Sequence, residues 1–122
     1  MPLQLDTGKE NLDMFFKDYQ VESLRYLWRV QPEGANSRSV WVNVNESLQG
    51  SISRASVINY LNAMVDEGLL IYTEITGKGG YQRVYTMKYG ETEFKQHIAG
   101  LIITKLLKEY PLETQKAFKY LT

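Results

Sequence analysis

A mainly α-helical fold carrying one small β-hairpin, an α+β class, is predicted by three features of this chain. Apolar residues recur at helical spacing through residues 19–30, 37–48 and 51–68. The pattern then becomes extended and rich in β-branched and aromatic residues over 69–87, with a glycine-rich break in the middle. From about residue 91 the helical period returns and persists almost to the end.

The whole-chain properties narrow the field. With 122 residues the chain can bury a genuine core as a single domain. It lacks an apolar run long enough to span a bilayer and a signal peptide at its start, so a cytoplasmic protein without a membrane partner is expected. There is no cysteine, which excludes disulfides and thiolate metal sites and suits a reducing compartment. Fourteen basic residues balance fourteen acidic ones. A neutral chain has little general attraction for polyphosphate, so any nucleic-acid surface must be one local basic patch.

Residues 1–17 read as an arm or a short leading helix, with Leu12, Phe15 and Phe16 available to dock it on the body or on a partner subunit. Asp18 can cap a first helix over Tyr19 to Val30, where Val21, Leu24, Leu27 and Trp28 form the stripe and Lys17, Arg25 and Arg29 face solvent. Gln31-Pro32-Glu33-Gly34 ends it. A second helix starts at a serine cap, Ser37 or Ser39, and runs to about Leu48; Val40, Val44 and Leu48 repeat every four residues and Trp41 widens the buried face. Val40 to Val44 also alternates somewhat like a strand.

The third helical stretch opens at Ser51, a serine able to cap, and closes on Gly68, suited to a left-handed helix end. Val57, Leu61, Met64 and Val65 make its apolar stripe. The opposite face carries Ala55, Asn59, Asn62 and Asp66, with Arg54 and Ser56 in the first turn. Two helices joined by the glycine-containing turn 49–52 form a helix-turn-helix, whose second helix enters the major groove of DNA. Small residues permit close approach, while amide and guanidinium groups can read base edges. The expected readers are Arg54, Ala55, Ser56, Asn59 and Asn62.

A hairpin directly after such a helix is the wing of a winged helix. Its strands run over Leu69 to Thr76 and Tyr81 to Met87, and Lys78, Gln82 and Arg83 are its candidate phosphate or minor-groove contacts. Gly77-Lys78-Gly79-Gly80 is not a Walker-type phosphate loop, which needs longer glycine spacing, a Lys-Ser/Thr pair and a following helix. Three segments are therefore expected: the arm 1–17, a winged-helix domain 18–90 and a helical segment 91–122. In the last, Phe94, Ile98, Leu101, Ile102, Ile103, Leu106 and Leu107 cover more than half of a helix. Such a surface needs cover on two sides. Phe94, Ile98, Leu101, Ile102 and Leu106 are thus expected at a homodimer interface, the alternative being a helix wholly buried within one subunit. Pro111 suits the first turn of a final helix from Leu112 to Leu121, where Phe118 and Leu121 add apolar surface.

Catalytic patterns are missing. The single histidine, His97, lies in the apolar C-terminal helix and reads as a surface or packing residue. No carboxylate pair, nucleophile elbow, zinc spacing or dinucleotide fingerprint occurs. The nine tyrosines read mostly as packed rings with hydroxyls at the surface. Neither an enzyme nor a cofactor or metal is expected, and no pattern marks a small-molecule effector.

The run Ser53-Arg54-Ala55-Ser56-Val57-Ile58-Asn59-Tyr60-Leu61, followed by Met64-Val65-Asp66-Glu67-Gly68-Leu69-Leu70, resembles the recognition helix of winged-helix transcriptional regulators. The nearest group is that of the penicillinase repressors and their archaeal relatives, with MarR and PadR types further off. Leu27-Trp28 resembles the Leu-Trp pair of that group's first helix. Gly77-Lys78-Gly79-Gly80-Tyr81-Gln82-Arg83-Val84-Tyr85 is similar to a wing whose glycine-rich tip precedes an Arg-x-Tyr strand. The resemblance covers roughly residues 18–90 and implies a winged helix-turn-helix with an added C-terminal dimerisation helix. It implies a homodimeric, sequence-specific DNA-binding regulator, a repressor by analogy, acting on double-stranded DNA. The alternative is a winged helix used for protein–protein contact.

Overall fold

A computed structural model of the chain describes residues 3–77 and 80–122. Among these residues the architecture is mainly helical with one small antiparallel sheet. The elements run in the order of a 3-10 turn (Asn11–Met14), α1 (Asp18–Arg29), β1 (Ala35–Asn36), α2 (Ser37–Ser47), α3 (Arg54–Asp66), β2 (Leu70–Gly77), β3 (Gly80–Met87), α4 (Glu91–Glu109) and α5 (Pro111–Leu121). The chain divides into two compact units between Lys88 and Tyr89.

In the first unit, α1 packs against α2, α3 and β3, and α3 packs against β2. The core is built from the stripes of the three helices: Val21, Leu24 and Leu27, then Val40 and Val44, then Val57, Tyr60, Leu61 and Met64, closed by Leu69, Leu70, Tyr85 and Met87. Several positions depart from the stripes, among them Leu48, which is half-buried where Val40 and Val44 are buried. Trp28 is only half-buried, and Ser23 lies inside instead, its hydroxyl donating to the Tyr19 carbonyl at 2.7 Å. On α3 the buried place expected for Val65 is taken by Tyr60. Leu12 and Phe16 are buried, and the Phe16 ring meets Tyr60 edge-on at 6.2 Å, so the leading segment docks within its own chain.

The helix starts differ from expectation in instructive ways. Asp18 is the first residue of α1 rather than its cap; the preceding Lys17 N–H donates to Gln20 Oε1 at 2.9 Å, and the Asp18 carboxylate sits in the first turn, where the helix dipole favours it. The α2 cap is Asn36, whose Oδ1 accepts from the Ser39 N–H at 2.8 Å, not Ser37 or Ser39. Residues 40–44 are helical, which settles their dual pattern. The α3 cap is Ser53, accepting from the Ser56 N–H at 3.1 Å, while the Ser51 hydroxyl donates back to the Leu48 carbonyl at 2.9 Å. At its other end α3 closes as the sequence suggests. Gly68 adopts φ +76°, and the N–H groups of Gly68 and Leu69 reach the carbonyls of Val65 and Met64.

The turn between α2 and α3 is held by side chains. Asn45 Oδ1 accepts from the Ile52 N–H at 3.2 Å, and the Trp41 indole donates to the Ile52 carbonyl at 2.8 Å. Both backbone groups of one residue are thereby tied to α2.

The sheet has the order β1-β3-β2, all antiparallel. The strand β1 is an addition to the predicted hairpin. It pairs Ala35 with Tyr85 and Asn36 with Val84. In the hairpin Leu70 faces Met87, Tyr72 faces Tyr85, Glu74 faces Arg83, and Gly77 faces Gly80. Every β2 residue after Leu70 is exposed, so the hairpin projects from the core instead of lying on it.

In the second unit, α4 and α5 pack together, with the Thr114 hydroxyl donating to the Leu106 carbonyl at 3.1 Å and Pro111 opening α5. Phe94 and Ile98 are buried. Leu101, Ile103, Leu106, Leu107, Leu112 and Phe118 remain exposed, and Ile102 is half-buried. Among the described residues no helix is long and apolar enough to cross a membrane.

Candidate functional site

The first turn of α2, the length of α3 and the strand β3 border one open groove of about 540 Å³. Each element delivers an arginine to it: Arg38 from α2, Arg54 from α3 and Arg83 from β3. Their positions follow from the local structure. Asn36 caps α2, so Arg38 lies in its first turn; Ser53 caps α3, so Arg54 is its first residue; and the β3 pleat turns Arg83 to the same side as the core-facing Tyr85. Asn36, Ser37, Ile58, Asn62, Tyr81, Gln82 and Tyr85 contribute the rest of the lining, and among the described residues no carboxylate is part of it. Asp66 and Glu74 are not lining residues, but Glu74 lies directly across the hairpin ladder from Arg83, on the same face.

The three arginines differ in freedom. Arg38 and Arg54 are exposed, and among the described residues neither side chain has a hydrogen-bond or ion-pair partner. Arg83 is half-buried and tied down. Its Nη1 donates to Asn62 Oδ1 at 3.0 Å, and its guanidinium carbon lies 4.0 Å from the centre of the Tyr72 ring, a cation–π stack. The same Asn62 oxygen accepts from the Tyr85 hydroxyl at 2.7 Å. Burial raises the Tyr85 phenol above its ordinary pKa, with the neighbouring Arg83 charge pulling the other way.

The predicted reader residues separate into two sets. Arg54, Ala55 and Asn59 lie exposed on α3. Ser56 is half-buried and engaged in the cap, its hydroxyl 2.8 Å from that of Ser53. Asn62 is occupied by Arg83 and Tyr85, and Gln82 accepts from the Asn36 side-chain amide at 3.0 Å. Lys78 lies outside the described residues. Arg38 was not anticipated. The available signal was its place one residue beyond the earlier of the two serines proposed as caps, which puts a cation at the start of the helix preceding α3.

Two further features complete the inventory. Tyr60 departs from the expectation of surface hydroxyls: it is 3% exposed, its ring meets Phe16 and Tyr19 edge-on, and its hydroxyl has no hydrogen-bond partner among the described residues. Desolvation pushes its pKa well above the ordinary phenol value, with Tyr19 adding to the shift. His97 is half-buried and stacks on Tyr89 at 5.0 Å in a shallow cleft along α4. Among the described residues no three histidine or carboxylate side chains group as metal ligands do.

Comparison with protein-family models, with curated proteins and with solved structures finds no match to this chain.

Proposed function

We propose that the chain is a winged-helix, sequence-specific DNA-binding regulator of transcription, a repressor by its resemblance, acting as a homodimer. The observation that carries this reading is the groove in which Arg38, Arg54 and Arg83 converge beside α3 with no carboxylate in the lining among the described residues. A neutral chain needs such a local concentration of cations to meet a phosphate backbone. The element order supports the same reading. A short, braced turn joins α2 to α3, and a projecting hairpin follows α3 directly, so α3 serves as recognition helix and β2–β3 as wing. Ala55 and Asn59 give α3 a face that fits closely into a major groove and can hydrogen-bond to bases.

The dimer rests on the exposed apolar residues of α4 and α5, chiefly Leu101, Leu106, Leu107, Leu112 and Phe118. Exposed large apolar side chains in number are the raw material of association surfaces, and two-fold pairing is the commonest closed arrangement. Pairing doubles the number of arginine grooves available to one DNA site.

Selection from random duplex oligonucleotides with the purified chain is the test. Enrichment of a defined, inverted-repeat sequence is the expected result; recovery of no sequence above background overturns it. A rival reading, a winged helix that binds protein, is favoured by Ile71 and Ile75, which are 51% and 44% exposed on the hairpin face opposite Arg83.

A further inference from the structure

Asn62 was expected to read a base or touch the backbone, but its hydrogen bonds leave it little capacity for either. An asparagine that recognises adenine uses both ends of its amide, the oxygen accepting and the nitrogen donating. The Asn62 oxygen already receives two donors, Arg83 Nη1 at 3.0 Å and the Tyr85 hydroxyl at 2.7 Å. Arginine can only donate, so the partnership fixes which end of the amide faces it. A carbonyl oxygen has two lone pairs, and both are in use.

What this arrangement does is hold Arg83. One N–H of its guanidinium is pinned by Asn62, its charge lies over the Tyr72 ring, and among the described residues its remaining donors are free to serve the groove shared with Arg54 and Arg38. A long side chain fixed in advance loses less freedom when a ligand arrives. The guanidinium fork matches phosphate oxygens in geometry as well as charge. We propose that Asn62 and Tyr85 are positioning residues that preset Arg83 as a phosphate-binding donor, with Arg38 and Arg54 completing a three-arginine site for a phosphate group between α2, α3 and β3. The DNA backbone as the source of that phosphate rests on the proposed function; the site itself does not.

The experiment has two arms, using the full chain and its Asn62→Ala, Tyr85→Phe, Arg83→Gln and Asn62→Ala/Arg83→Gln variants. In the first, affinity for a selected duplex and for a scrambled one is measured across salt concentrations. Asn62→Ala is expected to weaken both duplexes alike, by about two- to tenfold, the cost of immobilising one side chain that is no longer held in advance. The double variant is expected to be no worse than Arg83→Gln alone. A changed base preference in Asn62→Ala, or additive losses in the double variant, overturns the positioning role. In the second arm inorganic pyrophosphate is titrated while the arginine side-chain NMR signals are followed. The Arg83 signal is expected to shift in the parent chain and to lose that response in Asn62→Ala and Tyr85→Phe. If no duplex binds but this response is present and variant-sensitive, the DNA reading fails and the phosphate site stands. An Arg83 signal indifferent to pyrophosphate in the parent chain overturns the site. Tyr85→Phe removes one hydroxyl and keeps the ring, so it decides the matter if Asn62→Ala does not fold.

Discussion

Tyr60 carries a hydroxyl into the core and leaves it without a partner among the described residues, on the inner face of the helix whose outer face bears Arg54 and Asn59. Burying a hydroxyl unpaired is costly, so Tyr60→Phe should raise stability by about 1 kcal/mol in urea unfolding; a loss of similar size would mean that the hydroxyl is satisfied in solution. The pH dependence has a definite sign. Tyr60 and Tyr85 both hold their protons more tightly in the folded chain than in the unfolded one. Their contribution is fully present below the unfolded phenol pKa of about 10 and falls as the pH rises beyond it, because the unfolded chain then binds fewer protons. Denaturant midpoints should therefore fall as the pH rises through about 10, and Tyr60→Phe should flatten part of that decline. On α3 the exposed Asn59 and the half-buried Asn62 are expected to behave oppositely. Asn59→Ala should alter sequence preference by roughly 1–3 kcal/mol at one base position, as loss of a good base contact does. Equal binding of all sequences before and after the change would remove Asn59 from the reading face.

At the scale of elements, Gly34 controls how β1 joins the sheet. It has φ +77°, and a Cβ there would collide with the Tyr85 carbonyl and the Thr86 methyl. Gly34→Ala should destabilise the chain by about 2–3 kcal/mol, combining left-handed strain with that collision. A melting curve indistinguishable from the parent would show that β1 can leave the sheet freely. The glycine was visible in the sequence only as punctuation, since a two-residue strand leaves no periodicity to detect. The longer elements were legible because burial imposes a period: the α1, α2 and α3 stripes put Leu24, Leu27, Val40, Val44, Val57 and Leu61 inside, and the change of period at Gly68 marks the hairpin. Caps were less legible. Asn36, Ser37 and Ser39 stand close together, as do Ser51 and Ser53, and each can accept from a free N–H, so composition does not select among them. The groove was legible in part. Arg54 and Arg83 were found from their elements, whereas Arg38 depends on how α2 sits beside α3, and the engagement of Asn62 depends on a strand more than twenty residues away.

The whole molecule balances its charges yet gathers three arginines in one groove and exposes several large apolar side chains on α4 and α5. Leu101→Glu with Leu106→Glu changes two exposed positions, so the fold should survive while self-association is lost. Sedimentation equilibrium should show a dimer for the parent and a monomer for this variant; a parent monomer at micromolar concentration would remove the dimer from the account. The central claim is that the arginine groove meets the phosphate backbone of DNA, and the salt dependence of duplex binding tests it most directly. The logarithm of the binding constant should fall linearly with the logarithm of salt concentration. Replacing Arg38, Arg54 and Arg83 together by glutamine should reduce that slope by roughly two to three units per protomer, near one for each lost phosphate contact. A slope unchanged by the triple replacement, or duplex binding that does not respond to salt, would contradict the account.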